Sequence, residues 1–271
     1  MEFADKVAVI TGAASGIGRA VALAMANRGV RAVALVDMGE AIDSVAADVN
    51  AAAGREVAFP YRGNTTDEAF RASVFESISS RFGLVTMCVP AAGITRDELA
   101  VRIDKITGKA RIYAVDKFKL VVDVNLIAPV YWALEMIGRI AEDRAARGLK
   151  RWVPTEGMQG AIVFIGSVSS QGNRGQISYA STKAGLEGAA ATIMQEAIFH
   201  GVRCGLIHPG YTDTPMVRAL GEDFIAKNIL PYTQLGRLIR PEEIADAICF
   251  MLANSAVSGE LWADAGWHAP A

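Results

Sequence analysis

The chain has 271 residues, of which 52% are hydrophobic and 21% charged, with 26 glycines and a net charge of −2. That balance excludes disorder, and the length accommodates one large α/β domain or two small ones. No block of five or more basic residues occurs, so nucleic-acid and membrane-surface binding have no electrostatic footprint.

The chain enters a strand directly after Asp5 and Lys6, so no targeting segment is expected. Val7, Ala8, Val9 and Ile10 form a short continuous apolar run, as a strand buried on both faces of a parallel sheet would. Thr11, Gly12, Ala13, Ala14, Ser15, Gly16, Ile17 and Gly18 follow, then an alanine-rich helical stretch over 16–28 closed by Gly29. Strand, glycine-rich turn and helix make the opening of a dinucleotide-binding βαβ unit. Its glycines let the backbone approach a pyrophosphate, and the helix N-terminus offers free N–H groups and a positive dipole end. Without a ligand the same segment would be a plain βα turn. A second strand over 32–36 ends at Asp37, 19 residues after Gly18. An acid there hydrogen-bonds ribose hydroxyls and repels a 2′-phosphate, so NAD is expected in preference to NADP. The alternative is that Asp37 is a loop residue or helix cap.

A helix over 40–53, a strand over 56–61, a helix over 67–80 and a strand over 84–89 are expected next. The run Asn64-Thr65-Thr66-Asp67 sits at the strand end, where it can cap the helix and also face an adenine. Pro90, Ala91, Ala92 and Gly93 make a small-residue turn with room for a cofactor. Residues 94–99 are expected to begin a polar helix, and 106–112 to form a surface hairpin around Gly108. With a basic piece over 144–159 carrying Trp152, Pro154 and Gly157, these make two surface insertions, near 96–116 and 144–159. Between them a helix over 117–146 holds Asn125 among Val121, Val122, Leu126 and Ile127, where an amide needs a use for its hydrogen bonds.

A fifth strand over 161–166 leads to Ser167 and then to a helix over 178–200. Tyr179 and Lys183 stand four residues apart on that helix and so share a face. A fixed cation beside a phenol draws its pKa of about 10 toward neutrality. Ser167 could hold a carbonyl oxygen next to that phenol. The plain alternative is a polar pair on an amphipathic helix. A sixth strand over 202–207 runs into His208, Pro209, Gly210, Tyr211, Thr212, Asp213 and Thr214. Residues 215–235 form either a substrate-covering lid or another surface helix. A helix from Pro241 to about 253 and a seventh strand over 260–263 complete one doubly wound sheet with helices on both faces. Cys88, Cys204 and Cys249 sit in apolar surroundings without CxxC spacing, and His200, His208 and His268 are scattered, so no disulfide and no metal set is expected. No apolar run is expected to reach the ~18 residues of a membrane span. A soluble cytoplasmic protein is expected.

In this order, residues 11–18, Asp37, Asn125, Ser167, Tyr179 with Lys183, and Pro209-Gly210 with Thr214 resemble the short-chain dehydrogenase/reductase family. The likeness covers nearly the whole chain apart from the two insertions. It implies a single Rossmann-type α/β domain over 1–271 with a seven-stranded parallel sheet, a nicotinamide cofactor, and hydride transfer between an alcohol and a ketone. By position, the resemblance implies Tyr179 as general acid/base and Ser167 as the hydrogen-bond partner of the substrate oxygen. It implies Lys183 on the nicotinamide ribose, Asn125 holding a water that links Lys183 to solvent, and Thr214 at the carboxamide. Gly12, Ser15, Gly16, Ile17, Gly18, Asp37, Asn64, Ala91, Gly93, Pro209, Gly210 and Thr212 complete the implied cofactor contacts.

Within the family, Gly93-Ile94-Thr95-Arg96-Asp97 with Leu99 and Arg102, and Gly166-Ser167-Val168, resemble the β-ketoacyl-carrier-protein reductases. That implies a 3-oxoacyl thioester substrate, while a sugar, a polyol or a steroid-like secondary alcohol stays open. Those reductases usually carry an arginine in the glycine loop and use NADPH, whereas this chain has Ser15 and Asp37. Pro90-Ala91-Ala92-Gly93 stands in place of Asn-Asn-Ala-Gly, Ser167 precedes Tyr179 by 12 residues where 13 is commoner, and His208 replaces a frequent asparagine. The resemblance also implies a homotetramer packed through the helices over 117–146 and 178–200. A reading of another class is a catalytically silent NAD-binding sensor or scaffold. Retention of Asn125, Ser167, Tyr179 and Lys183 together argues against it.

Overall fold

In the computed structural model, which describes residues 1–267, alternation along the strands divides the interior into two cores. Successive side chains of a strand point to opposite faces. In β1 (Val7–Thr11), Ala8 and Ile10 therefore join one core while Val7 and Val9 join the other. The sheet continues with β2 (Ala32–Asp37), β3 (Ala58–Arg62) and β4 (Val85–Pro90). A hairpin of β5 (Val101–Ile103) and β6 (Ala110–Ile112) interrupts it, and β7 (Gly160–Ile165), β8 (Val202–Pro209) and β9 (Gly259–Ala263) complete it. The seven-stranded order is β3-β2-β1-β4-β7-β8-β9, with every pairing parallel. Strand order reverses between β1 and β4, and such a switch point opens a crevice at the C-terminal strand ends.

Helices α1 (Gly16–Asn27), α2 (Ile42–Ala53) and α9 (Pro241–Ala253) cover one face; α3 (Glu68–Phe82), α5 (Ala128–Ala146) and α6 (Ile177–Ala197) cover the other. The expected doubly wound fold is thus present. Local chemistry sets the helix ends: α2 stops at Gly54, left-handed at φ +64, and Asp67 caps α3 by accepting from the Phe70 N–H at 2.9 Å.

Four expectations change. Residues 94–99 form no helix: the Glu98 N–H donates to the Gly175 carbonyl at 2.8 Å, and the Tyr113 hydroxyl donates to the Arg96 carbonyl at 2.7 Å. Partners distant in sequence claim the groups a helix would use. The expected long helix is composite, with α4 (Val115–Val122) joined to α5 through a π-helical turn, Asp123–Ile127. The combined stretch Val115–Ala146 is long and apolar enough by length and composition to cross a bilayer, contrary to the sequence expectation. Its Trp132, Ala133, Met136 and Ile140 are buried in the core under the sheet. Finally, the second insertion is not wholly superficial: Arg144 is buried, paired through both terminal nitrogens with Glu156, and donates to the Lys150 carbonyl at 3.0 Å.

The hairpin forms as expected, although its first strand begins earlier than the expected stretch, at Val101. Gly108 occupies its turn at φ +68, and Asp104 accepts from the Ile106 and Thr107 N–H groups. The three cysteines are buried and unpaired, and burial pushes the Cys204 thiol up to about 12 and that of Cys249 up to about 11. His268 lies outside the described residues.

Candidate active site

The strand ends at the switch point open into a cleft of about 400 Å³. Gly12, Ser15, Gly16, Ile17 and Gly18 line one side, with Asp37 and Asn64 at one end and Ala91, Gly93, Tyr179, Lys183 and Thr214 along the rest. Several glycines are there because nothing larger fits. A Cβ on Gly12 would lie 2.7 Å from the Ala92 Cα, and one on Gly18 would lie 2.3 Å from the Gly12 carbonyl oxygen. Gly16 takes φ +52, and a Cβ there would press on Thr214 at 3.0 Å. Ser15 stands at the N-cap of α1 in extended conformation, yet its hydroxyl caps no backbone N–H. The first N–H groups of α1 thus face the cleft beside a free hydroxyl, a donor set that suits a phosphate.

Asp37 is tied into this loop. One carboxylate oxygen accepts from the Ala14 N–H at 3.0 Å and the other from the Gly39 N–H at 2.8 Å. Each oxygen keeps lone-pair capacity for a further donor such as a ribose hydroxyl. Asp37 therefore both braces the loop and faces the cleft. The cation beside it, Arg62 on the neighbouring strand, is paired with Glu40 at 2.9 Å and donates to the Met38 carbonyl. Within the run 64–67, Asp67 supplies the cap of α3, the Asn64 amide oxygen accepts from the Thr66 N–H at 3.1 Å, and Asn64 and Thr65 line the cleft. The residues this cleft presents fit a dinucleotide.

A second cavity of about 90 Å³ adjoins the first. Thr95, Asp97, Ser167, Val168, Ser169, Asn173, Gln176, Gly210, Tyr211, Met216, Val217 and Leu220 line it, and Tyr179 lines both cavities. The Ser167 hydroxyl accepts from the Ser169 N–H at 3.1 Å and lies near enough to the Tyr179 phenol to lower its pKa, despite the shortened loop between them. The Ser169 hydroxyl donates to the Gln176 amide oxygen at 2.9 Å. Residues 215–235 contribute α7 (Pro215–Arg218) and α8 (Glu222–Asn228). Met216, Val217 and Leu220 from this segment wall the smaller cavity, while Ile225 and Ile229 pack with Leu238 in a small core of their own. The segment thus combines short helices with a wall of the second cavity.

The electrostatics differ from the sequence expectation. Burial pushes the Tyr179 phenol up to about 12, opposed by the neighbouring Ser167 hydroxyl and reinforced by the charge of Asp97. Lys183 is buried, donates to the Ile165 carbonyl at 2.7 Å, and is lowered to about 8 by desolvation. Its ammonium lies 5.4 Å from the centroid of the Tyr179 ring. Desolvation of both groups therefore outweighs the cation's pull on the phenol in the protein by itself.

Asn125 lines neither cavity. It is fully buried in the π turn, where its amide oxygen accepts from the Ile94 N–H and its amide nitrogen donates to the Ile94 carbonyl, both at 2.8 Å. It brackets the loop after β4. Pro209 and Thr212 also stay out of both cavities, with the Thr212 hydroxyl donating to the Gly210 carbonyl at 3.1 Å. The absent asparagine near β4 is offset by Thr11, whose hydroxyl oxygen accepts from the Ala92 N–H at 3.1 Å. Sequence reasoning missed Met38, Val124 and Ile165 as walls of the cleft. Ile165 sits at the C-terminal end of β7, a signal that position in the sheet carries.

A family model described as short chain dehydrogenase matches residues 6–224. The 3-oxoacyl-[acyl-carrier-protein] reductase of Escherichia coli (strain K12) is 32% identical over 96% of this chain and 96% of its own. The cis-4-hydroxycyclohexanecarboxylate dehydrogenase of Sinomonas cyclohexanicum is 32% identical over 98% of each. A short-chain type dehydrogenase/reductase from Mycobacterium marinum shares the fold, with a TM-score of 0.82 and 24% identity over 99% of this chain and 98% of that one.

Proposed function

Because the chain belongs to the short-chain dehydrogenase/reductase family, we propose that it moves a hydride between NAD(H) and a secondary alcohol or its ketone. The observation that carries this reading is the position of Tyr179. Its phenol is shared by the wall of a dinucleotide-sized cleft and the wall of a small second cavity, which Ser167 also lines. A carbonyl held in the second cavity meets two donors at one oxygen.

When bound, the nicotinamide supplies the hydride or receives it. The Ser167 hydroxyl orients the substrate oxygen and stabilises charge that develops there. Tyr179 gives that oxygen a proton as the ketone is reduced, or takes one as the alcohol is oxidised. A phenol held at about 12 is protonated at neutral pH, the form that donates to a ketone oxygen. Lys183 fixes positive charge near the ring and anchors to the Ile165 carbonyl; in this reading it also binds the nicotinamide ribose. Asn125 acts here by holding Ile94 in the cleft wall, and the water-relay role is kept as an added function of the same residue. Thr214 lies where it can meet the carboxamide.

The preference for NAD rests on Asp37, a carboxylate without a free cation beside it to receive a 2′-phosphate. A 3-oxoacyl thioester leads the substrate classes, on the likeness to 3-oxoacyl-[acyl-carrier-protein] reductases. The second cavity, with Val168, Tyr211, Met216, Val217 and Leu220 in its walls, takes a short apolar group beside the carbonyl. One observation favours a hydroxylated or cyclic alcohol instead: Asp97, Gln176 and Asn173 form a hydrogen-bonded polar strip along the same cavity.

The test is a cofactor-linked absorbance assay over acyl thioesters, cyclic secondary alcohols and sugars. Tyr179→Phe is expected to lower kcat by about 10²- to 10⁴-fold while cofactor titration is unchanged. Turnover that survives the substitution would remove Tyr179 as acid/base, and no turnover of any class would favour the silent nucleotide-binding reading.

A further inference from the structure

Glu187, His208 and Glu260 come together although they are far apart in sequence, and none of them lines either cavity. His208 is fully buried on β8, Glu187 is half-buried on α6, and Glu260 is exposed on the edge strand β9. One ligand atom from each lies within 4.8 Å of the others. The His208 Nε2 is 3.1 Å from a Glu260 oxygen and 3.8 Å from a Glu187 oxygen. Its Nδ1 is 3.2 Å from the Ser167 carbonyl oxygen. The ring is held in place by stacking on Trp262, with centroids 4.0 Å apart and planes 13° from parallel.

This ring faces acceptors at both nitrogens, and a neutral imidazole carries only one N–H. A backbone carbonyl can only accept, so the Ser167 oxygen takes the proton at Nδ1. That leaves a bare Nε2 lone pair aimed at two carboxylates. Three electron-rich atoms converging in this way favour a positive charge among them, either a second ring proton or a metal ion. A second proton on the ring would bridge the Glu260 oxygen and leave Glu187 without a bond. A divalent metal engages all three.

We propose that Glu187, His208 and Glu260 form a metal site for Zn²⁺ or a similar first-row ion, separate from the hydride-transfer site. One imidazole and two carboxylates suit such ions, and imidazole disfavours Mg²⁺ or Ca²⁺. Ligand atoms around a tetrahedral zinc stand roughly 3.3 Å apart, so the observed separations need only small side-chain rotations. The Nδ1–H donated to a carbonyl is the outer-shell contact that fixes a ligating histidine's tautomer. Side-chain exposures of 32% for Glu187 and 43% for Glu260 leave an entry path and a fourth position for water. The ion would staple α6, which carries Tyr179 and Lys183, to β8 and β9. Through the Nδ1 contact it would also steady the loop at Ser167.

The experiment uses the full chain after chelator dialysis. Zn²⁺ is titrated by calorimetry with thermal melting in parallel, and Co²⁺ is added as a spectroscopic probe. About one equivalent of Zn²⁺ should bind, raise Tm saturably, and give Co²⁺ the absorption of a four-coordinate site. Glu187→Gln and Glu260→Gln, both at solvent-accessible positions, should keep the apo melting behaviour and weaken Zn²⁺ binding at least about tenfold each. Absence of saturable binding, or binding equal in the variants and the parent, would overturn the proposal and leave a proton as the only bridge.

Discussion

Lys183 pays a desolvation cost that depends on pH. Its ordinary pKa of 10.5 is lowered to about 8 by burial, so between those values the unfolded chain holds a proton that the folded chain has released. Stability therefore rises with pH across that window, by roughly 3 kcal/mol at most. Tyr179 works in the opposite sense above pH 10, because the folded phenol keeps its proton up to about 12. Denaturant unfolding of the parent and of Lys183→Met at pH 8, 9 and 10 checks this. The parent should gain stability relative to the variant, and parallel profiles would mean that Lys183 is not desolvated. At Asp37, NAD(H) is expected to bind at least tenfold more tightly than NADP(H), about 1.4 kcal/mol. Asp37→Ser should remove that difference and weaken both cofactors, since the Ala14 and Gly39 N–H groups lose their acceptor. Fluorescence titration of both cofactors decides it, and tighter NADP(H) binding by the parent would refute the reading.

The two insertions are built differently, and that predicts where the chain is cut. The β5–β6 hairpin is exposed along both strands, with Ile106 at its tip 95% exposed. Arg102 stands directly opposite Arg111 across the pair, a like-charge pairing that weakens a two-stranded unit already marginal in water. The second insertion is anchored by buried Arg144 and by the Trp152 N–H donating to the Phe199 carbonyl at 2.8 Å. Brief trypsin treatment should therefore cut first around Lys105 and Lys109 and leave two fragments associated. A first cut at Lys150 or Arg151 would contradict this. Sequence pattern reached the regular elements because continuous apolar runs and glycine stops are local signals. It misjudged 94–99 because the deciding partners, Gly175 and Tyr113, lie elsewhere in the chain. The site divides in the same way. Gly12, Asp37 and the Tyr179–Lys183 pair were legible from spacing, whereas the bracket of Asn125 on Ile94 and the convergence of Glu187, His208 and Glu260 exist only after folding.

Over the whole molecule, one side of the long helical stretch is spent on the core and the other is not. Ile127, Tyr131 and Leu134 on that stretch are exposed, beside an α6 whose exposed positions include Ser181, Ala184 and Gly188. Small residues permit close helix approach, and closed symmetric assembly is the common way to cover such a face. We propose a homotetramer packed through these helices. A sizing column should give four times the chain mass of 28.7 kDa, and Leu134→Glu should shift it to a smaller species. A monomeric parent would refute the proposal.

The π turn at Asp123–Ile127 makes length itself part of the information in this stretch. One residue more than a regular α-helix needs is accommodated there, so α4 and α5 share a direction but are out of phase by about 100°. Upstream and downstream faces are thereby set independently: Asn125 reaches Ile94, and seven positions later the Trp132 indole reaches the Thr65 carbonyl at 2.9 Å. Deleting Leu126 or Ile127, which lie between Asn125 and Trp132, would keep the helical propensity. It would also force one of those two contacts off its face, because a continuous helix can satisfy only one phase at a time.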